Sequence, residues 1–271
     1  MAFQDILRHA QRTQQSLLCI GLDTDLAKLP RAFAESSDAI VEFNRQIIDA
    51  TCDLVCAYKI NLAFYEVFGE QAFPLVHQTL AHIPPGIVTI GDGKRGDIGN
   101  SASFYARALR EQYGFTASTV NPYMGSDAVA PFLEDPDHGA FILALTSNPG
   151  ARDFQHLRTR TGPLFETVVR KTLRWNTRGN CGLVVGATRP ARLRRIRQLA
   201  PNLPILVPGI GAQGGDLHRS VRYGCDRHGE LGVFTASRSV LYASSGSDYA
   251  TAARHAARAL RDEINAVRPA R

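Results

Sequence analysis

The sequence predicts an α/β fold built as a single (β/α)8 TIM barrel of parallel strands. Eight short apolar runs rich in β-branched residues recur along the 271 residues, and each leads into a helix or a helical turn. Strands alternating with helices imply parallel βαβ units. Eight of them in about 250 residues fit a closed barrel better than a doubly wound sheet. No repeat, low-complexity tract or linker interrupts the series, so residues 1–271 are expected to form one domain, with a leading helix over 3–15 and the barrel over about 16–266.

Taken in order, residues 3–15 are an amphipathic helix, and S-L-L-C-I-G-L-D, ending at Asp23, is the first buried strand. Breaks at Pro30 and at Ser36-Ser37-Asp38 mark a loop before a helix over about 38–52, whose Ile40, Phe43, Ile47 and Ile48 share one side. The second strand surrounds Lys59, and a helix is expected over about 63–82. I-V-T-I-G-D-G-K forms the third strand, a helix runs from Gly99 to about Tyr113, and F-T-A-S-T-V-N is the fourth strand. A short helix over 126–133, the strand A-F-I-L-A-L-T-S, a basic loop through Thr161 and a helix to about Trp175 follow. C-G-L-V-V-G, an arginine-rich helix, I-L-V-P-G-I-G, a helix over about 215–224, L-G-V-F-T-A-S-R and a last helix over about 249–266 complete the alternation.

Composition narrows the function. No apolar run approaches the eighteen residues a membrane span needs, and the N-terminus lacks a signal-peptide core, so a cytoplasmic protein is expected. Cysteines 19, 52, 56, 181 and 225 are odd in number and lack C-x-x-C spacing, which reads as reduced core thiols. Cys52 and Cys56 could share a helical face as metal ligands, but no second Cys/His pair stands at a useful spacing, so no metal site is expected. The net charge of +6 is concentrated in R-P-A-R-L-R-R-I-R-Q-L, residues 189–199. Leu193, Ile196 and Leu199 give that segment an apolar stripe with the arginines mainly opposite, as on a solvated helix, although Arg189 to Arg197 would also suit a polynucleotide.

The chemistry-bearing stretch is I-V-T-I-G-D-G-K-R-G-D-I-G-N-S, residues 87–101. Side chains alternate along a strand, so Asp92 and Lys94 point to one side while Gly93 faces away, and the turn at Gly96 and Gly99 lets Asp97 swing back. Burial would strip the proton from a lysine, but each nearby carboxylate is worth about 4 kcal/mol at roughly 4 Å when the effective dielectric constant is about 20. Lys94 is then a proton donor rather than a nucleophile. A surface salt-bridge cluster could show the same spacing; the β-branched run before Asp92 favours a strand end at a barrel mouth. Active sites in this fold lie at the carboxyl ends of the strands. Polar residues stand there repeatedly: Asp23, Lys59, Asp92 with Lys94, Ser147 with Asn148, and Arg238. V-P-G-I-G-A-Q-G-G-D, residues 207–216, brings four glycines to a strand-to-helix junction, where backbone N–H groups and a helix N-terminus can hold a phosphate beside Arg238. A glycine-rich turn without a ligand is the alternative.

D-G-K-R-G-D-I-G-N-S resembles the signature of orotidine 5′-phosphate decarboxylases, in particular the type 2 branch with D-x-K-R-G-D-I-x-x-[ST], and the resemblance spans about 18–240. It implies conversion of orotidine 5′-monophosphate to uridine 5′-monophosphate and CO2 without metal or cofactor, with Lys94, Asp92 and Asp97 catalytic. It implies substrate contacts from Asp23, Lys59 and Ser101, base recognition by Ser147, and a phosphate site of Gly209, Gly211, Gln213, Gly214 and Arg238. It also implies a homodimer in which Asp97 reaches the partner's site, and no nucleic-acid partner. Gly91, where bulkier residues are common, and R-H-G-E at 227–230 depart from the pattern. A Mg2+-dependent sugar-phosphate lyase of the same superfamily would share D-x-K-x-x-D but needs a further carboxylate where Lys59 stands.

Overall fold

The computed structural model describes residues 1–31, 33, 36–187, 190–210 and 216–269. Eight parallel strands close into a barrel: β1 (Leu18–Gly21), β2 (Ala57–Asn61), β3 (Val88–Arg95), β4 (Ala117–Val120), β5 (Gly139–Leu145), β6 (Cys181–Val185), β7 (Ile205–Pro208) and β8 (Gly232–Ala236), with β1 paired to both β2 and β8. Alternation along each strand sorts the core into two layers. Cys19, Ala57, Ile90, Ala117, Phe141 and Val184 fill the interior, while Leu18, Ile20, Tyr58, Ile142 and Leu183 face the surrounding helices.

The leading helix, α1 (Phe3–Thr13), lies across the amino ends of the strands. Phe3, Leu7 and Ala10 join the interior layer, and Phe3 meets Phe141 edge-on at 5.7 Å. Gln11 donates to the Gly232 carbonyl and accepts from Leu231 N–H, so α1 is bonded to the start of β8. Arg8 bonds Asp226 at 2.8 Å and Arg12 bonds Glu230 at 2.7 Å. Glu230 of the R-H-G-E segment, which matched the family pattern poorly, and Asp226 just before that segment thus clamp α1.

Four helical expectations need adjustment. The helix expected over 63–82 is two, α2 being Asp38–Thr51, α3 Ala63–Glu66 and α4 Ala72–Ala81, with the break at Gly69, whose φ of 58° is left-handed. The helix after β3 is α-helical over α5 (Gly99–Arg107) and then widens into a π-turn over Ala108–Gln112. After α6 (Ser126–Val129), the loop expected to run through Thr161 holds α7 (Ala151–Phe154) and a small hairpin pairing Arg158–Thr159 with Gly162–Pro163. Gln155 fastens it by accepting from Thr146 N–H at 2.8 Å. On the arginine-rich helix α9 (Pro190–Leu199), which follows α8 (Leu164–Trp175), the charges are not simply solvated. Arg192 and Arg194 lie over the rings of Phe165 and Tyr223, Arg195 pairs with Glu166, and Arg197 donates to the carbonyls of Ala200 and Leu203. Arg189 lies outside the described residues. α10 (Leu217–Gly224), α11 (Arg238–Leu241) and α12 (Tyr249–Val267) complete the outer layer. Cys19, Cys56, Cys181 and Cys225 are buried free thiols, and Cys52 is a half-buried one.

Gly91 has a packing reason: a Cβ there would come within 2.7 Å of the Phe115 ring. With Phe115 so placed, the bulkier residues common at this position in the resembled pattern would not fit.

Candidate active site

At the carboxyl ends of β1, β2 and β3 the side chains form a row of alternating charge. Asp23 Oδ1 lies 3.0 Å from Lys59 Nζ, Lys59 Nζ 3.2 Å from Asp92 Oδ2, and Asp92 Oδ1 2.7 Å from Lys94 Nζ. Lys59 and Asp92 are buried, whereas the Lys94 side chain is 43% exposed. Burial disfavours the charge on Lys59, yet Asp23 and Asp92 outweigh it and hold the pKa above the ordinary lysine value. Burial would likewise raise Asp92, but Lys59 and Lys94, with a hydrogen bond from Thr119, keep it below the usual carboxylate range. The buried Lys59–Asp92 pair at the middle of the row is therefore held in its charged form at neutral pH.

Each member is held by the local chain. Asp23 accepts from the Asn61 backbone and from Ser237 Oγ at 2.9 Å, which ties β1 to the end of β8. Behind it, Tyr65 donates to the Leu22 carbonyl and accepts from Asn44, which also accepts from Thr24. On β3, pairing with β4 slips between Gly91 and Arg95, and Lys94 adopts a left-handed φ of 44°. Such bulges re-aim side chains at barrel rims; here the Lys94 ammonium turns back onto Asp92.

Asp97 does not join the row within one chain. Its carboxylate accepts from the N–H of Ile98 at 2.8 Å, and among the described residues it makes no ion pair with Lys94. Within one chain the row is thus Asp23–Lys59–Asp92–Lys94. Ser101 is exposed on the first turn of α5, beyond the cleft. Ser147 is half-buried in the turn after β5, and Gly186 makes room for it, since a Cβ there would lie 2.9 Å from Ser147 N.

A cleft of about 340 Å3 opens over the row, lined by Asp23, Lys59 and Asp92 on one side and by Gly209, Ile210 and Arg238 on the other. Gly209 has a φ of 88°, a backbone only glycine adopts freely, and its N–H bonds the Thr235 carbonyl at 3.2 Å. Gly211, Gln213 and Gly214 lie outside the described residues. Asp25, Lys28 and Tyr242 also line the cleft; Lys28 pairs with Asp25 at 3.2 Å, and the Tyr242 hydroxyl accepts from Asp25 N–H at 2.8 Å. These were overlooked in the sequence, as were Thr119 and Ser237. Asp25 and Lys28 follow the first strand directly and carried that positional signal; a hydroxyl inside a β-branched run carries none.

Among the described residues, no group of three or more His, Cys, Asp or Glu is placed to hold a metal ion. Between the carboxylates of Asp23 and Asp92 stands the Lys59 ammonium, a cation already in place.

Fold and site together define a barrel of the enzyme-bearing (β/α)8 class with a row of fixed charges at its strand ends. Residues 16–254 match the model of the orotidine 5′-phosphate decarboxylase / HUMPS family. An orotidine 5′-phosphate decarboxylase of Dehalococcoides mccartyi is 47% identical over 269 residues, covering 98% of each chain. That of Herpetosiphon aurantiacus is 49% identical over 259 residues, 95% of this chain and 96% of the other. The structure of Leishmania donovani OMP decarboxylase superposes with a TM-score of 0.87 at 38% identity, covering 98% of both chains. The chain belongs to the orotidine 5′-phosphate decarboxylase / HUMPS family.

Proposed function

We propose that this protein decarboxylates orotidine 5′-monophosphate to uridine 5′-monophosphate, the last step of de novo pyrimidine nucleotide synthesis, as a metal- and cofactor-independent cytoplasmic enzyme acting as one barrel domain per chain. The observation that carries the reading is the ion-paired Asp23–Lys59–Asp92–Lys94 row under a nucleotide-sized cleft, in a chain of this family. No helix among the described residues is long and apolar enough to cross a membrane.

On this reading Gly209, Gly211, Gln213, Gly214 and Arg238 hold the phosphate, remote from the reacting carbon, so its binding energy can be used there. Asp23 and Lys59 meet the ribose, and Ser147 reads the base edge. The substrate carboxylate lies near Asp92, a like-charge contact relieved as CO2 departs. The C6–carboxylate bond breaks, its electron pair stays on C6, and Lys94 stabilises that carbanion and then gives it a proton. Lys94, being part-exposed, regains a proton from water. The ammonium of Lys59 already fills the place a divalent ion would need between Asp23 and Asp92.

A homodimer completes the site. Lys94 has three N–H donors and one described partner, which leaves room for Asp97 of the partner subunit. Ile98, Phe104, Tyr123 and Met124, all exposed, give the region around Asp97 and Ser101 an apolar surface suited to burial against a second copy. The test is the absorbance of orotidine 5′-monophosphate mixed with chelator-treated protein. It should fall at the same rate with and without EDTA; no change in absorbance sinks the activity, and loss of rate with EDTA sinks metal independence.

A further inference from the structure

Between the pairs Gly91–Ser118 and Arg95–Val120, β3 carries three residues, Asp92, Gly93 and Lys94, where β4 carries one, Thr119. In an even ladder the Lys94 N–H would bond a carbonyl of β4. Here it donates to Thr119 Oγ1 at 2.9 Å. An amide N–H cannot accept, so the hydroxyl's own proton goes to Asp92 Oδ1, 2.8 Å away. A carboxylate cannot donate, so both directions are forced. Thr119 is 1% exposed, and burial keeps solvent from competing for either bond.

We infer that Thr119 is a positioning residue for the reaction proposed above: its hydroxyl holds the β3 bulge that aims the Lys94 ammonium and fixes the rotation and ionisation of the Asp92 carboxylate. The backbone of Lys94 stands in a left-handed conformation that a non-glycine residue keeps only when its surroundings impose it. The Thr119 bond to its N–H is such an imposition. On the carboxylate, Lys59 bonds Oδ2 while Thr119 and Lys94 share Oδ1, so the hydroxyl sets which edge each lysine meets. An apolar side chain of the same shape could do neither.

The inference rests on the proposed decarboxylation for its kinetic test and stands apart from it in a titration test. Thr119→Ser and Thr119→Ala differ by one oxygen atom, and Thr119→Val keeps the shape of threonine without the hydroxyl, so the outcome survives the failure of any one variant to fold. Loss of the hydroxyl should lower kcat by about 10- to 100-fold with little change in KM, while Thr119→Ser stays within about threefold of the wild type. The charged groups facing Asp92 are Lys59 from β2 and Lys94 from β3, with Asp23 of β1 behind Lys59, and none is altered. Carbon-13 NMR should therefore show the Asp92 carboxyl titrating at higher pH in the Ala and Val variants than in the wild type and the Ser variant. Equal behaviour of the Ser and Ala variants in either readout overturns the inference. A wild-type protein inert toward orotidine 5′-monophosphate would instead remove the assigned reaction, and the Asp92 titration would still decide the role of Thr119.

Discussion

Both ends of the barrel carry interlocked charges, and they are finished differently. At the amino end Arg8 and Arg12 of α1 meet Asp226 and Glu230, whose side chains are nearly buried at 1% and 2% exposure, and each guanidinium ends on a carboxylate. At the carboxyl end the row runs through buried Lys59 and Asp92 and stops at Lys94, 43% exposed, with Asp92 as its described partner. A closed set of partners holds structure; an open one leaves donors for a ligand or for another chain. The same chemical groups therefore read as a clamp at one end and as reacting groups at the other.

Breaking the open end should show in turnover. Lys94→Ala is expected to lower decarboxylation on the order of 10^4-fold in steady-state assays while nucleotide binding and the thermal midpoint persist. Mixing it with Asp97→Ala should restore activity if carboxylate and ammonium of one site come from different chains, and failure to restore any would argue that each chain is self-sufficient. Breaking the closed end should show in stability instead. Glu230→Gln leaves Arg8 and Arg12 short of a partner, and denaturant titration should register a loss of about 3 kcal/mol with kcat unchanged below the melting range.

Acid should separate the ends more gently. His138, in the turn before β5, faces the Phe115 carbonyl through Nδ1 at 3.0 Å and Ser118 Oγ through Nε2 at 3.1 Å. A carbonyl only accepts, so Nδ1 carries a proton. Burial lowers its pKa from 6.5 to about 4. The unfolded chain therefore binds a proton that the folded one refuses, and stability should fall by about 3 kcal/mol as pH drops from about 6.5 to 4. Asp92 behaves otherwise: its depressed pKa gives stability present above the unfolded carboxylate value of about 4 and lost only as pH falls through the folded one. Denaturation followed from pH 7 to 4 should show this loss, and His138→Asn should flatten it; an unchanged slope in that variant would mean another group titrates.

The sequence made the barrel legible because each buried parallel strand is a β-branched run bounded by turn residues, and the row legible because its members end successive strands. The break at Gly69 was visible as a glycine in a long helical pattern, but a helix fitted equally well on either side of it. The clamp on α1 was not visible, since Arg8 and Glu230 stand 222 positions apart and nothing local links them. Thr119 and Ser237 were hidden for another reason: a hydroxyl in a strand reads as a β-former until its partner is known.

α1 has one further consequence, for the order of assembly. It precedes every strand in the sequence, yet the groups it bonds across the barrel floor, the Pro136 and Gly179 carbonyls, Asp226, Glu230 and the start of β8, all lie in the second half of the chain. The barrel floor therefore stays unsealed until the β8 segment has been made, and a helix that comes before all eight strands is among the last elements to be fastened.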